Sequence, residues 1–234
     1  MDREIKSEST SEGRRYDSPV RRAKAQETER RIIDAAATLF VDHGYVATSL
    51  AAVADRAEVD PRTVYKVFGG KVGLLSRLVD IAIVGDQDPV PVADRSWAAD
   101  AFGADSGEER VHAFAAVVRH VMASAGWAFR IAAQAAAADA DAAALWATGQ
   151  RYRLDDATRF VNSLRQADLL RPDRSGRNAI ATVWLVSSPE TYIQLVDGLD
   201  WTLGRYEHWV ERTLADALLE PPRLSHDRSQ PSQT

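Results

Sequence analysis

The 234-residue chain contains no cysteine, which excludes disulfide bonds and any metal site that needs thiolate ligands. It has no run of 18 consecutive apolar residues, so the sequence predicts no membrane-spanning helix and no membrane partner. The first ten residues are too charged for a signal peptide. The sequence therefore predicts a cytoplasmic protein. A hydrophobic fraction of 45% is enough for folded cores.

Charge is distributed unevenly along the chain, although the formal net charge is −5. Residues 14–77 carry 12 Lys or Arg against 8 Asp or Glu. From residue 86 onward, 15 basic residues stand against 21 acidic ones. A contact with nucleic acid is therefore expected in the N-terminal part, and the acidic remainder is expected to avoid phosphates.

The stretch from Thr48 to Lys71 has the pattern of two short helices joined by a tight turn. Thr48 and Ser49 supply hydroxyl groups that cap the start of the first helix, which carries an apolar stripe at spacings of three and four residues. Asp60 caps the second helix, and Pro61 occupies its first position, where a missing N–H is tolerated. Val64, Val67 and Phe68 are expected to form the inner face of this second helix.

The same second helix carries polar and aromatic side chains with no core to fill, namely Arg62, Thr63, Tyr65 and Lys66. Two helices of which the second presents hydrogen-bond donors form the motif that places a recognition helix in the major groove of DNA. A further helix begins at Gly69-Gly70-Lys71, where a helix N-terminus and a lysine together favour a phosphate contact.

Beyond these local signals, residues 27–80 resemble the DNA-binding domain of TetR-type repressors. The matching positions are Ala35-Ala36, Leu39-Phe40, Gly44-Tyr45, Thr48-Ser49, Val53-Ala54, Ala57, Thr63-Val64-Tyr65, Phe68 and Lys71. The resemblance implies double-stranded operator DNA as a partner, and we expect the contacts to come from Thr48, Ser49, Arg62, Thr63, Tyr65, Lys66 and Lys71. Glu58 departs from the family pattern, which usually has glycine in this turn, and predicts a strained or altered turn backbone.

The predicted fold is all-α, with an N-terminal three-helix helix-turn-helix domain and a C-terminal helical domain for ligand binding and dimerisation. We expect a disordered basic arm over 1–23, the DNA-binding domain over 24–85, the second domain over 86–220 and a disordered tail over 221–234. The arm either contacts the DNA backbone and minor groove or is a solvated tail.

In the second domain the apolar pattern predicts helices over 107–126, 127–138, 139–167, 173–187 and 202–219, with a restart at Ser188-Pro189-Glu190. The family resemblance implies a homodimer through residues 173–219. Large apolar residues support this, because Trp184, Tyr192, Trp209 and Leu218 exceed what two terminal helices of a monomer need to bury. The alternative is that these four residues belong to the intramolecular core.

A small-molecule site is expected among aromatic residues that alternate with many alanines, because large rings opposite small residues can leave an apolar hole. Core packing is the alternative for each of them. Arg130 is the only basic residue between His120 and Arg151, so the predicted ligand is mostly apolar. The candidate residues are Trp97, Phe102, Phe114, Trp127, Arg130, Trp146 and Trp184.

Signals for an enzyme are weak, and no catalytic residue, cofactor or metal is predicted. His112 and His120 are eight residues apart on one helix, without a third ligand at metal-binding spacing. No G-x-S-x-G elbow or dinucleotide-binding fingerprint occurs. The sequence therefore predicts a transcription repressor released from its operator by a small hydrophobic molecule. The alternative is a constitutive helix-turn-helix DNA-binding protein without an effector.

Overall fold

A computed structural model of the protein describes residues 19–85, 92–173 and 176–220. Within these ranges the chain is all-α, as predicted, and contains no strand. The expected tail over 221–234 and most of the expected arm lie outside the described residues. The helices are α1 (Pro19–Ala47), α2 (Leu50–Arg56), α3 (Pro61–Phe68), α4 (Lys71–Val84), α5 (Ala99–Gly103), α6 (Gly107–Ala138), α7 (Ala140–Gln166), α8 (Gly176–Val186), α9 (Pro189–Tyr192) and α10 (Leu203–Leu218).

Helix α1 begins earlier than expected, at Pro19, so residues 19–23 are helical and not part of a disordered arm. Proline is accepted in the first turn of a helix, and the following Ala23 to Glu27 are mostly good helix formers. Near its other end, Gly44 has a φ of 78° and a ψ of 165°, a backbone conformation that favours glycine and interrupts the helix. This interruption places Tyr45 against the N-terminal core, where it is 3% exposed.

Local capping fixes the two short helices that follow. The Ser49 hydroxyl accepts a hydrogen bond from the N–H of Ala52, and the Asp60 carboxylate accepts one from the N–H of Arg62. In the turn between the two helices Glu58 has a φ of 54°, so the turn has the altered backbone that the sequence predicts, in a region that is disfavoured for a residue with a Cβ. Gly73 has a separate role, since an added Cβ would lie 1.9 Å from the carbonyl oxygen of Phe68 and would force α3 and α4 apart.

Helix α6 is continuous over 32 residues, so the predicted break at Gly126 is wrong. Gly126 lies inside this helix, and its missing side chain lets the Tyr192 ring approach the helix backbone closely. An added Cβ would meet the tyrosine ring at 2.7 Å. The sequence shows the glycine but not its contact with Tyr192, which lies 66 positions away. Without that contact, a helix end is the simplest interpretation of the glycine.

The two hydrophobic cores share α6. Its first half packs Val111, Phe114 and Val118 among the C-terminal helices. Its second half packs Ala128 and Ile131, with other small residues, against the buried residues of α1 to α4. The small side chains allow the helices to approach closely. Helix α6 therefore connects the N-terminal and C-terminal parts directly.

The predicted restart at Ser188-Pro189-Glu190 is also present. Ser188 caps α9 by accepting a hydrogen bond from the N–H of Thr191, and Pro189 occupies the first turn. The chain then passes through a π-helical turn over Ile193–Asp197 before α10, which Thr202 caps. No helix in the described ranges is both long enough and apolar enough to span a bilayer.

Candidate DNA-binding surface

Helix α3 presents one face to the N-terminal core and the other to solvent. Val64 is fully buried, whereas Arg62 and Lys66 are exposed and Tyr65 is 64% exposed. Thr63 is half-buried. Val67 is 47% exposed, so its predicted place on the inner face is wrong. An exposed helix with two cations and a tyrosine, held by a buried valine and a capped start, has the features of a recognition helix.

The two hydroxyl residues before α2 have different environments. Ser49 is exposed and caps α2. Thr48 is 3% exposed. Its hydroxyl lies within hydrogen-bond distance of two backbone carbonyl oxygens, that of Leu39 at 3.1 Å and that of Gly44 at 2.9 Å. The Thr48 side chain is thus used to join α1 to the helix-turn-helix, and its predicted contact with DNA does not fit this burial.

Lys71 lies at the first position of α4, where no side chain caps the free N–H groups. Its Nζ atom lies 4.1 Å from the centroid of the Tyr45 ring and 3.4 Å from the carbonyl oxygen of Val46. Burial lowers the pKa of the Lys71 ammonium, and the nearby Asp139 opposes this effect. A helix N-terminus and a held cation are together suited to an anionic group such as a phosphate.

An ion pair and shared core packing connect the helices that carry this surface. Arg77 of α4 donates from its Nε to the carboxylate of Glu29 on α1 at 3.0 Å. The buried face of α4 carries Leu74, Leu75 and Leu78 into the same core as Val64. The recognition helix and the N-terminus of α4 are therefore presented by one packed unit.

Comparison with known families supports this assignment. Residues 32–78 match the model of a family described as bacterial regulatory proteins, tetR family. The match spans the end of α1 and all of α2, α3 and most of α4. The N-terminal part of the chain therefore contains a DNA-binding domain of the tetR type, as its sequence predicts. No curated protein is significantly similar to it.

Several solved structures have the same fold along most of the chain. SmeT, the repressor of the Stenotrophomonas maltophilia multidrug efflux pump SmeDEF, is similar in its triclosan complex with a TM-score of 0.62, 19% identity, and coverage of 83% of this chain and 93% of SmeT. NalD, the secondary repressor of the MexAB-OprM multidrug efflux pump in Pseudomonas aeruginosa, gives a TM-score of 0.64, 17% identity, and coverage of 83% and 98%. A protein from Saccharomonospora viridis in complex with choline gives a TM-score of 0.64 and 13% identity. The match covers 84% of this chain and 100% of that protein. At these identities the similarity establishes the fold.

The aromatic residues predicted to line a ligand pocket pack closely in several different places. Phe114 stacks on Phe160 with ring centroids 4.1 Å apart, and Phe102 meets the same ring edge-on at 6.3 Å. Trp97 is 39% exposed and contacts the His120 ring in a tilted arrangement, with ring centroids 4.5 Å apart. These residues belong to one end of the C-terminal core and its surface.

The other three tryptophans of the predicted pocket lie elsewhere. Trp127 packs against the N-terminal core, Trp146 packs against both cores, and Trp184 donates from its indole to the carbonyl of Gln150 at 3.4 Å. Arg130 forms a two-pronged ion pair with Asp197, in which Nη2 donates to Oδ1 at 2.6 Å. The structure thus does not bring the seven predicted residues together around one apolar hole, and Arg130 already has an anionic partner.

Two concavities at the surface of the described ranges are lined mainly by charged residues. One, of about 400 Å³, lies between α1 and the turn after α2. The other, of about 650 Å³, lies between α5, α6 and α10 and is lined by acidic residues and by His112, which contacts Glu211 at 3.2 Å. No group of three or more metal-ligating side chains occurs in the part of the chain that the structure describes.

The terminal helices expose apolar residues that differ from the predicted ones. Leu218 and Tyr192 are buried within the single chain, so for them the intramolecular alternative is correct. Leu185 of α8 is 59% exposed, and Leu199 is 60% exposed. Helical phase explains the exposure of Leu185, because Ala179, Val183 and Val186 occupy the buried side of α8.

Proposed function

We propose that the chain is a homodimeric repressor that binds operator DNA through α3 and the N-terminus of α4, with a DNA-binding unit over 24–85 and a regulatory unit over 86–220. The observation that carries the proposal is the exposed polar face of α3 on a packed and capped support. In a two-fold dimer the two α3 helices would enter successive major grooves about 34–36 Å apart.

Within this complex the side chains would form two groups, one near base edges and one at the phosphate backbone. Arg62, Thr63 and Lys66 would lie near base edges, because they project from the recognition helix. Tyr65 and Lys71 would contact phosphates, and Ser49 would approach the backbone from the start of α2. Phosphate contacts position the protein, whereas base contacts select the sequence, so the two groups should respond differently to substitution.

The experiment is in vitro selection of bound duplexes from a random pool, followed by titrations at several salt concentrations. Lys71→Ala should weaken binding to selected and unselected duplexes alike and lower the salt slope by about 1. Arg62→Ala should relax the preference at particular bases. Arg151→Ala, which removes an exposed arginine of α7, is the matched control. Unchanged affinity and selectivity in both test variants would remove α3 and α4 from the interface.

Control by a small, mostly apolar molecule is the second part of the proposal. Helix α6 contributes to both cores, so a ligand that shifts α6 among the C-terminal helices would also shift the support of α3. Linkage then requires operator DNA to weaken ligand binding by the same factor. SmeT has been solved with triclosan, which makes triclosan a suitable apolar probe. Tryptophan fluorescence titrations with and without the selected duplex measure the coupling.

Constitutive DNA binding is the second candidate, and one observation favours it. The seven predicted pocket residues do not surround one apolar hole, because they pack against one another, pack against other residues or lie at the surface. Equal triclosan affinity with and without the duplex would show that triclosan binding does not affect DNA binding. This result would favour constitutive DNA binding. A choline titration tests whether the acidic concavity between α5, α6 and α10 binds a cation instead.

A further inference from the structure

Three side chains from distant parts of the sequence connect the N-terminus of α4 to the junction of α6 and α7. The Tyr45 hydroxyl donates a hydrogen bond of 2.9 Å to Oδ2 of Asp139. The Lys71 ammonium lies over the face of the same tyrosine ring, 4.1 Å from its centroid. Asp139 is the single residue between α6 and α7, so this chain of contacts joins the C-terminal helices to a predicted phosphate contact.

Asp139 is held by both of its carboxylate oxygens. Oδ1 accepts hydrogen bonds from the N–H groups of Asp141 at 2.9 Å and Ala142 at 3.2 Å, which caps α7. Oδ2 is thereby directed toward Tyr45. The position of the carboxylate consequently follows the position of the α6–α7 junction.

Tyr45 is also held in place, by burial and by contact with another aromatic ring. Its ring is 3% exposed and packs against Phe40, with centroids 5.6 Å apart. Burial and the hydrogen bond to Asp139 raise the pKa of the Tyr45 hydroxyl, so it remains a neutral donor. Hydrogen bonds from the Ala142 N–H and from Tyr45 lower the pKa of Asp139, so this carboxylate is ionised at neutral pH.

We propose that Tyr45 and Asp139 are positioning residues that hold the Lys71 ammonium where it contacts a DNA phosphate. This inference rests on the proposed function, in which Lys71 makes that contact. The tyrosine ring is the platform for the cation, and the hydrogen bond to Asp139 fixes the ring. Since Asp139 moves with the α6–α7 junction, a rearrangement of the C-terminal helices changes the phosphate contact directly.

The test is a double-mutant cycle on a 30-base-pair duplex of arbitrary sequence, because non-specific binding depends mainly on phosphate contacts. Tyr45→Phe keeps the ring and removes only the hydroxyl. It should weaken binding about two- to fivefold, the usual effect of losing one hydrogen bond. In a Lys71→Met background the same change should have no effect, because there is no cation left to position. Tyr152→Phe, at a tyrosine that is 68% exposed on α7, is the control.

A second pair of variants removes the hydrogen bond from the other side. Asp139→Asn and Asp139→Ser eliminate the same charge, and both residues cap helices well. With its carbonyl oxygen kept as the cap, only asparagine is long enough to keep a hydrogen-bonding group near Tyr45, namely its side-chain N–H, which donates to the tyrosine hydroxyl oxygen. The serine variant should therefore bind the duplex about two- to fivefold more weakly than the asparagine variant. The two should be equal in the Lys71→Met background. Thermal unfolding of every variant identifies any loss of folding.

The outcomes separate this inference from the proposed function. If Lys71→Met alone leaves duplex affinity and salt slope unchanged, the phosphate contact itself is wrong, and the inference falls with it. If Lys71→Met weakens binding but Tyr45→Phe and Asp139→Ser have equal effects in both backgrounds, Tyr45 and Asp139 are merely structural. That result overturns the inference and leaves the proposed DNA contact in place.

Discussion

The N-terminal and C-terminal helices are stabilised in different ways. Helices α2 and α3 have only seven and eight residues, and capping side chains at Ser49 and Asp60 fix where each begins. Helices α6 and α7 have 32 and 27 residues, and contacts between distant parts of the chain determine their arrangement. Short capped helices present a polar face with little freedom, whereas the long helix α6 packs into both cores. The first arrangement suits reading DNA, and the second suits control.

Surface composition follows the same division. The N-terminal surface exposes Arg62, Tyr65 and Lys66 on one short helix. The C-terminal surface combines acidic residues with exposed leucines, of which Leu185 on α8 is 59% accessible to solvent. An exposed leucine beside the half-buried Trp184 favours contact with another copy of the chain over contact with phosphates. The expected dimer through residues 173–219 remains a proposal on this basis.

The largest expected effect comes from breaking the C-terminal core. Phe160 is fully buried and stacks on Phe114, so Phe160→Ala should lower the free energy of unfolding by about 3–5 kcal/mol. Chemical denaturation measures this loss. Tyr152→Ala, on the exposed side of the same helix, should change stability by less than about 0.5 kcal/mol. Similar losses in the two variants would mean that α7 does not pack through Phe160.

A smaller effect is expected at the proposed dimer surface. Leu185→Glu should raise the dimer dissociation constant about tenfold or more, because a carboxylate would be desolvated in an apolar contact. Analytical ultracentrifugation over a concentration series gives this constant. Val41→Glu, at an N-terminal valine that is 60% exposed, is the matched control and should leave association unchanged. Equal dissociation constants for wild-type and Leu185→Glu would place the interface elsewhere.

The smallest expected effect sharpens the N-terminal side of the comparison. Glu58 has a φ of 54°, where glycine lacks the steric cost of a Cβ, so Glu58→Gly should stabilise the fold by about 0.5–1 kcal/mol. Glu58→Ala loses the same carboxylate but keeps the Cβ, and it should give no such gain. Thermal unfolding of the two variants side by side isolates the backbone contribution. A glycine variant no more stable than the alanine variant would show that the turn is unstrained.

Sequence reasoning predicted the N-terminal helices well because their determinants are local. The caps at Ser49 and Asp60, the proline at 61 and the strained Glu58 all act within three or four residues of their own position. Thr48 was harder, because its hydroxyl bonds to a carbonyl nine residues earlier, which no capping pattern reveals.

The C-terminal helices were predicted as helices, but their contacts were not. Arg130 pairs with Asp197, 67 residues away, and Tyr45 bonds to Asp139 across 94 residues. Such partners depend on how α6 is placed, and a single sequence carries no local signal for that. The predicted break at Gly126 failed for the same reason, since the close approach of Tyr192 is a tertiary feature.

The most direct measurement of the central claim is a hydroxyl-radical footprint of the full-length protein on a duplex chosen by in vitro selection. A dimer that reads DNA through two α3 helices should protect two patches whose centres are one helical turn, about 34–36 Å, apart. Both patches should weaken together in the Leu185→Glu variant. A single protected patch, or two patches that persist unchanged in that variant, would contradict the account.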